Sequence, residues 1–233
     1  MGRSARRERE YYVRSMFARI ARHYDRANRW MTWGQDVRWR QQLIDLAHLP
    51  HGGKLLDIGT GTGDLALEAS RRDASLLVVG ADLTPEMMGQ GRIRTGAGMI
   101  HWLNSDALDL PFSSETFDAV VSGYLLRNVS NLEMALTEQY RVLKQGGHAV
   151  CLDTTPPPGN MWYLPARLYL RYFIPIIGRL MTGDGNAYGY LQGSTERFIH
   201  AEELVDCFVK AGFKDVYYRR FMAATMAIHH GTK

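Results

Sequence analysis

Ten residues constrain this chain more than any others: Leu55-Leu56-Asp57-Ile58-Gly59-Thr60-Gly61-Thr62-Gly63-Asp64, three glycines on alternate positions where a buried apolar run gives way to a helical pattern. Glycines at a strand-to-helix turn let the backbone approach a ligand with no Cβ in the way. The spacing is GxGxG. A dinucleotide fingerprint needs its third glycine where Asp64 stands, and no Gly-Lys-Ser/Thr follows as a P-loop would require. The turn therefore suits a ligand without phosphates, and an acid at Asp57 favours one carrying positive charge.

Apolar-run length and turn punctuation predict strands over Lys54–Ile58, Leu76–Ala81, Met99–Leu103, Phe117–Ser122 and Ala149–Asp153. Between them fall helices over Asp64–Arg72, Pro85–Arg92 with Thr84 as N-cap, and Leu132–Leu143 stopped by Gly146-Gly147. That alternation is an α/β pattern of βαβ units, with a mostly parallel sheet covered by helices on both faces. A helix over Ala201–Ala211, closed by Gly212, and two terminal strand-like runs, Asp215–Arg220 and Met222–His229, finish the chain as an expected antiparallel pair, the last two of seven strands. Residues 1–50 read as an N-terminal helical cap, residues 51–233 as the ligand-binding core, and residues 154–199 as a lid-like insert that forms either an acceptor wall or a packing subdomain.

A chain of 233 residues, 45% hydrophobic and 22% charged, can bury a full core, which excludes disorder and collagen-like repeats. Cys151 and Cys207 are too few for a disulfide framework, and both are expected to be buried, reduced thiols. Neither they nor the scattered histidines have metal-ligand spacing, so no metal is expected. The start MGRSARRERE lacks the apolar core of a signal peptide, and no run of about 18 apolar residues could span a bilayer. The chain is accordingly expected in the cytosol. Of the net +4, residues 1–40 hold eleven arginines against Glu8, Glu10, Asp25 and Asp36, that is 11 − 4 = +7, leaving −3 elsewhere. Such asymmetry suits an anionic membrane surface, an acidic substrate or nucleic acid, or is simply a solvated arginine face.

Asp82 ends the second strand, where a carboxylate accepts hydrogen bonds from ribose hydroxyls. Asp106-Ala107 ends the third, where a carboxylate and a backbone N–H match an adenine edge. Each acid alone is equally at home as a cap or turn residue. Together with GxGxG they resemble the class I S-adenosylmethionine-dependent methyltransferases, whose Rossmann-like fold the resemblance implies. It assigns to the cofactor Asp57, Gly59, Thr60, Gly61, Thr62, Gly63, Asp82, Leu83, Asp106, Ala107 and Gly123.

A narrower likeness lies in Tyr24-Asp25-Arg26-Ala27-Asn28, Met31-Thr32-Trp33-Gly34, Leu126-Arg127-Asn128-Val129 and Tyr188-Gly189-Tyr190-Leu191 with Ser194-Thr195. These are similar to signatures of the ubiquinone/menaquinone-biosynthesis C-methyltransferase family, supported by Tyr140-Arg141-Val142-Leu143-Lys144 and Ala211-Gly212-Phe213. The resemblance implies methylation of a ring carbon on a prenylated quinol, such as demethylmenaquinol. It puts Arg127 and Asn128 in the reaction pocket with Tyr24 closing it, and Asp153, at the end of the fifth strand, is the candidate base. The chain departs from the family pattern at Gly123, where a serine is usual, at Leu125, where a glycine is usual, and in Asp153-Thr154-Thr155-Pro156-Pro157-Pro158.

A lipidic acceptor suits the insert. Met161–Met181 carries Trp162, Tyr163, Tyr169, Tyr172 and Phe173, with Arg167, Arg171 and Arg179 along one side and breaks at Pro165 and Pro175. This is an interfacial pattern consistent with peripheral membrane contact, and equally with a pocket wall or a homodimer surface. A glycine-rich turn is expected at Gly183, Gly185, Gly189 and Gly193. Nucleic acid is not expected as substrate, because the segment after the fourth strand reads Gly123-Tyr124-Leu125-Leu126 instead of the Asn/Asp-Pro-Pro-aromatic motif of base-amine methyltransferases. The remaining alternatives are another lipophilic phenol as acceptor, or a non-catalytic cofactor-binding subunit.

Overall fold

Strands β1 (Lys54–Ile58), β2 (Leu77–Asp82), β3 (Ile100–Asn104), β4 (Phe117–Gly123) and β5 (Leu143–Thr154) pair in parallel in the computed structural model, which describes residues 3–156, 168–173, 176 and 185–233. The hairpin of β6 (Lys214–Phe221) and β7 (Met226–Thr232) completes a seven-stranded sheet in the order β3-β2-β1-β4-β5-β7-β6, with β7 antiparallel to both neighbours. Helices α1 (Arg3–Ile20), α2 (Tyr24–Met31) and α3 (Gln35–Leu46) precede the sheet. Helices α4 (Asp64–Arg72), α5 (Pro85–Arg92), α6 (Leu132–Val142), α7 (Gly185–Arg197) and α8 (Ala201–Lys210) follow in chain order.

Successive strand side chains point to opposite faces, and each face acquires its own helices. Leu56, Ile58 and Val120 pack with Leu136 of α6 and Phe208 of α8, whereas Leu55, Ala119 and Val121 pack with Leu43 of α3 and Ala66 of α4. A third cluster joins Met16, Ile20, Ala27 and Met31 of the N-terminal helices to Leu191 of α7. The N-terminal segment and the insert are thus welded to each other at the carboxyl ends of the strands, where ligands collect in sheets of this kind.

Four local expectations change. Helix α6 ends at Val142, ahead of the glycine pair, because the chain leaves it to pair Leu143 with Phe117; Gly146-Gly147 lie inside β5 at an irregularity in its pairing with β4. The last strand begins at Met226, since Met222, Ala223 and Ala224 take left-handed φ values of 50°, 50° and 64° to turn the hairpin. Gly185, Gly189 and Gly193 belong to helix α7, held by the burial of Leu191, Ser194 and Thr195 where intrinsic propensity is low. Cys151 is buried, but Cys207 is only partly so; both are free. Of the insert's aromatic run, Tyr169–Phe173 form a short helical turn, while Pro157, Pro158, Gly159, Trp162, Tyr163, Pro165, Arg167, Pro175, Arg179 and Gly183 lie outside the described residues. Among the described residues no helix is long and apolar enough to cross a membrane.

Candidate active site

The glycine turn is built by a short crossing of hydrogen bonds: the N–H groups of Gly59 and Thr60 both donate to the Ala81 carbonyl, at 2.8 and 3.0 Å. Gly59 has φ +67°, and a Cβ there would be strained and would meet the Leu125 side chain at 2.9 Å, which favours glycine. The turn opens one wall of a cavity that is also lined by Asp57, Thr60, Gly61, Thr62, Asp82, Leu83, Asp106, Ala107 and Gly123. Every expected cofactor residue but one therefore shares a single cavity. The exception is Gly63, which faces the core: a Cβ would meet the Trp102 ring at 2.4 Å, and its missing side chain serves the packing of β3 against the turn.

The acids of this cavity are differently engaged. Asp57 is 1% exposed, and its Oδ2 accepts from Thr60 Oγ1 at 2.7 Å and from the Ala66 N–H at 3.2 Å, while Oδ1 has no hydrogen-bond partner among the described residues. Burial pushes this carboxyl up to about 7. Asp82 accepts from the Gly61 N–H at 2.8 Å through one oxygen and from the Thr84 N–H at 2.7 Å through the other, and burial raises it too. Asp106 turns the chain after β3 through a bond from the Leu108 N–H to its Oδ1 at 3.0 Å. The hydroxyl hydrogens of Thr60 and Thr62 go to Asp57 and Asp25, so both threonines shape the loop.

The N-terminal helices close over the turn through charge. Arg40 of α3 pairs with Asp36 and, at 2.9 Å, with Asp64, while Arg94 pairs with Asp64 at 2.6 Å and donates to the Thr62 carbonyl at 3.0 Å. Ser130 Oγ donates to Glu10 of α1 at 2.9 Å across the same mouth. Arg40 and Asp25 were visible in the sequence only as one of many arginines and as a member of a motif. No local signal announces that they grip a loop so distant in the chain.

A second cavity opens beside the first, lined by Asn28, Met31, Tyr169, Leu191, Met222, Met226 and Arg127. Tyr24 and Tyr124 line both cavities and form their common wall, with Asn128 on the first cavity's side of it. Of the four expected reaction residues, Tyr24 lies at this junction, Asn128 lines the first cavity and Arg127 the second. Asn128 is fixed from both ends, its Nδ2 donating to the Tyr124 carbonyl at 2.8 Å and its Oδ1 accepting from Tyr190 Oη at 3.2 Å.

The fourth, Asp153, has a different place. It is 2% exposed, lines neither cavity, and accepts from the Arg127 guanidinium, from the Arg127 N–H at 3.2 Å and from the Thr154 N–H at 2.8 Å. Buried, bonded to Arg127 and away from both cavities, it has the geometry of an anchor for Arg127 and not of the expected base. The paired charges in turn hold the guanidinium 5.1 Å from the Tyr124 ring centroid.

Comparison with known proteins agrees with this architecture. Residues 5–233 match the model of the ubiE/COQ5 methyltransferase family. The chain is 47% identical to the ubiquinone/menaquinone biosynthesis C-methyltransferase UbiE of Desulfotalea psychrophila, over 95% of this chain and 90% of that one. It is 41% identical to a demethylmenaquinone methyltransferase of Thermus thermophilus, over 94% of this chain and 100% of that one. Among solved structures it is similar to an S-adenosylmethionine-dependent methyltransferase of Thermotoga maritima, with TM-score 0.67, 20% identity and coverage of 95% and 99%. It is also similar to the [4+2]-cyclase SpnF, with TM-score 0.64, 18% identity and coverage of 84% and 80%; at such identities the likeness speaks for the fold alone. The whole-length family match and the long, close relatives settle the assignment: the chain belongs to the ubiE/COQ5 methyltransferase family.

Proposed function

We propose that the protein transfers a methyl group from S-adenosylmethionine to a ring carbon of a prenylated quinol, of the kind represented by demethylmenaquinol. The observation that carries this reading is the junction itself: a glycine-cradled cavity with acids at successive strand ends abuts an apolar cavity that holds one arginine, across a wall of Tyr24 and Tyr124. The names of the relatives, a quinone-biosynthesis C-methyltransferase and demethylmenaquinone methyltransferases, support the same acceptor class.

The first cavity suits this cofactor. The unpartnered, buried Oδ1 of Asp57 awaits a cationic donor, which an amino-acid ammonium supplies. Asp82 presents both carboxylate oxygens to the cavity with lone pairs left for two hydroxyls, and Gly59 and Gly61 leave the backbone bare for close approach. When bound, S-adenosylmethionine supplies an electrophilic methyl group on a sulfonium.

The chain's own residues then have to orient the acceptor and make its ring carbon electron-rich. A phenol becomes a carbon nucleophile at its neighbouring ring position once the hydroxyl loses its proton. Arg127, fixed by Asp153 in a dry site, supplies the positive field that stabilises the resulting oxyanion. Asn128 holds its place through Tyr124 and Tyr190, and Tyr24 seals the junction against water. Positioning within contact distance supplies much of the acceleration that such a transfer needs.

In this reading residues 1–50 act as a cap and the insert as the acceptor wall, since Met31 of α2, Tyr169 and Leu191 of α7 all face the second cavity. Peripheral contact with an anionic bilayer is part of the proposal, and the exposed Trp30, Trp33, Leu168, Tyr172 and Ile176 near arginine-rich helices support it. A different lipophilic phenol is the second reading, favoured by Leu125, which departs from the family pattern and whose side chain lies against Gly59. Isotopically labelled S-adenosylmethionine offered with reduced demethylmenaquinone, demethoxy-ubiquinol precursors and short-chain naphthols decides between them. Label in one quinol ring, lost in Asp82→Ala and Arg127→Ala, is the expected result; label in the naphthols alone would favour the second reading, and no label at all would overturn the first.

A further inference from the structure

Tyr124 occupies an unusual position for a tyrosine. It follows β4 with φ +60°, a left-handed conformation that residues with a Cβ rarely adopt, and is held there by its N–H donating to the Leu152 carbonyl at 2.7 Å. The strain turns its side chain into the wall shared by the two cavities. Its hydroxyl is buried and has no hydrogen-bond partner among the described residues. A phenylalanine would fill the same space without stranding a donor, and a buried polar group left unpaired in a native fold calls for a ligand.

The surroundings define that ligand. Arg127, paired with Asp153, lies over the Tyr124 ring, and Arg40, paired with Asp36 and Asp64, lines the first cavity beside Tyr124. A free hydroxyl donor in a wall that also carries guanidinium groups is complementary to an oxygen with negative charge. We propose that the Tyr124 hydroxyl donates a hydrogen bond to an anionic oxygen bound where the cavities meet, the chemistry shared by the methionyl carboxylate of the cofactor and the deprotonated ring oxygen of the acceptor. This rests on the function proposed above.

Tyr124→Phe removes the one atom in question and nothing else. Calorimetric binding of S-adenosylhomocysteine and of 5′-methylthioadenosine, which lacks the carboxylate, is measured beside the melting temperature of the free protein and methyl-transfer kinetics. In both cases the free variant melts no lower than the parent, because no internal bond is lost. If the oxygen belongs to the cofactor, S-adenosylhomocysteine binds about ten-fold to a hundred-fold more weakly and 5′-methylthioadenosine is unaffected. If it belongs to the acceptor, S-adenosylhomocysteine is unaffected, kcat falls by a similar factor, and the alkaline shift of the kcat profile reports a less stabilised oxyanion. Unchanged affinity with unchanged kcat overturns the proposal. So does equal weakening of both nucleosides, or a lower melting temperature, which would mean the hydroxyl serves the fold. A parent enzyme that labels no quinol sinks the acceptor assignment by itself, and the nucleoside comparison still decides for or against the carboxylate; with that comparison also flat, the proposal falls.

Discussion

Thr62 Oγ1 donates to Asp25 Oδ1 at 2.6 Å, so the second glycine-loop threonine is held by a residue of α2 that lies 37 positions earlier. Asp25 also sits 3.5 Å from Arg94, which bonds the Thr62 carbonyl, and the loop is thereby clasped from both sides of its backbone. Asp25→Ala is expected to lower stability by about 1 kcal/mol and, because the loop conformation is then no longer prepaid, to weaken S-adenosylhomocysteine binding about ten-fold. Urea unfolding and calorimetry check the two effects. A variant that loses stability and keeps full affinity would show the clasp to be structural only.

The Arg127–Asp153 pair separates two mechanisms. Asp153→Asn leaves a buried guanidinium uncompensated, and breaking such a pair costs about 3 kcal/mol or more. The expected variant is markedly less stable, and its residual activity keeps the parent's acid limb in the pH profile. If Asp153 were instead the proton acceptor, the variant would lose that limb. Chemical denaturation together with kcat across pH 6 to 9 (an experimental range of about three units) distinguishes the outcomes.

Asp57 is raised by burial to about 7, so near neutrality it is partly protonated in the ligand-free protein. The charged form is the one that pairs with a cationic ligand, so binding draws the pKa down and releases a proton. Affinity for S-adenosylmethionine should rise as pH increases through about 7 and then level off. Titrations in buffers of different ionisation enthalpy should count that proton, and Asp57→Asn should abolish both the release and the slope. Stability of the free protein runs the other way: a raised carboxyl contributes most below the unfolded pKa, and that contribution is lost as pH rises through about 7.

His229 is pushed down to about 4 by burial between Phe208 and Tyr218, whose rings stack on it with centroids 6.2 and 5.4 Å away. His148 and His230, whose Nδ1 and Nε2 lie 3.0 Å apart, are lowered as well, first by burial and then by each other's or His48's charge. In the unfolded chain these rings take up protons near the ordinary histidine value, and in the fold they resist. Stability is therefore full above about pH 6.5 and falls as pH drops towards 4, at about 1 kcal/mol per unit for His229. Urea midpoints at pH 7.5 and 5.5 (about two units apart) test this, and His229→Gln should flatten part of the slope.

The fold was legible where chemistry is local. The apolar run of Leu55–Ile58 followed by alternate glycines dictates a strand and a tight turn whatever surrounds them, and Asp82 and Asp106 mark the ends of the next two strands for the same reason. Expectations moved wherever a distant partner decided. Leu143 leaves its helix because Phe117 is there to pair with it. Gly63 reads as part of a ligand cradle until the Trp102 ring is found where its Cβ would be. Asp153 and Arg127 are both conspicuous at strand and loop ends, but only the closed sheet shows that they pair with each other. Tyr124 gave no sequence signal beyond its neighbours, because neither its left-handed backbone nor its stranded hydroxyl is encoded by residue type.

The strand order carries a consequence for how the chain is assembled. β7 is the last strand in sequence, yet it lies between β5 and β6 and supplies the buried Met226, Ala227 and Ile228. β6, the exposed edge, has no partner in the sheet until β7 arrives. A nascent chain can therefore align β1 to β5 as they emerge, but β6 can join the sheet only through β7. Until β7 pairs with it, the flank of β5 beside Asp153 is an open edge, available to any other strand that reaches it first.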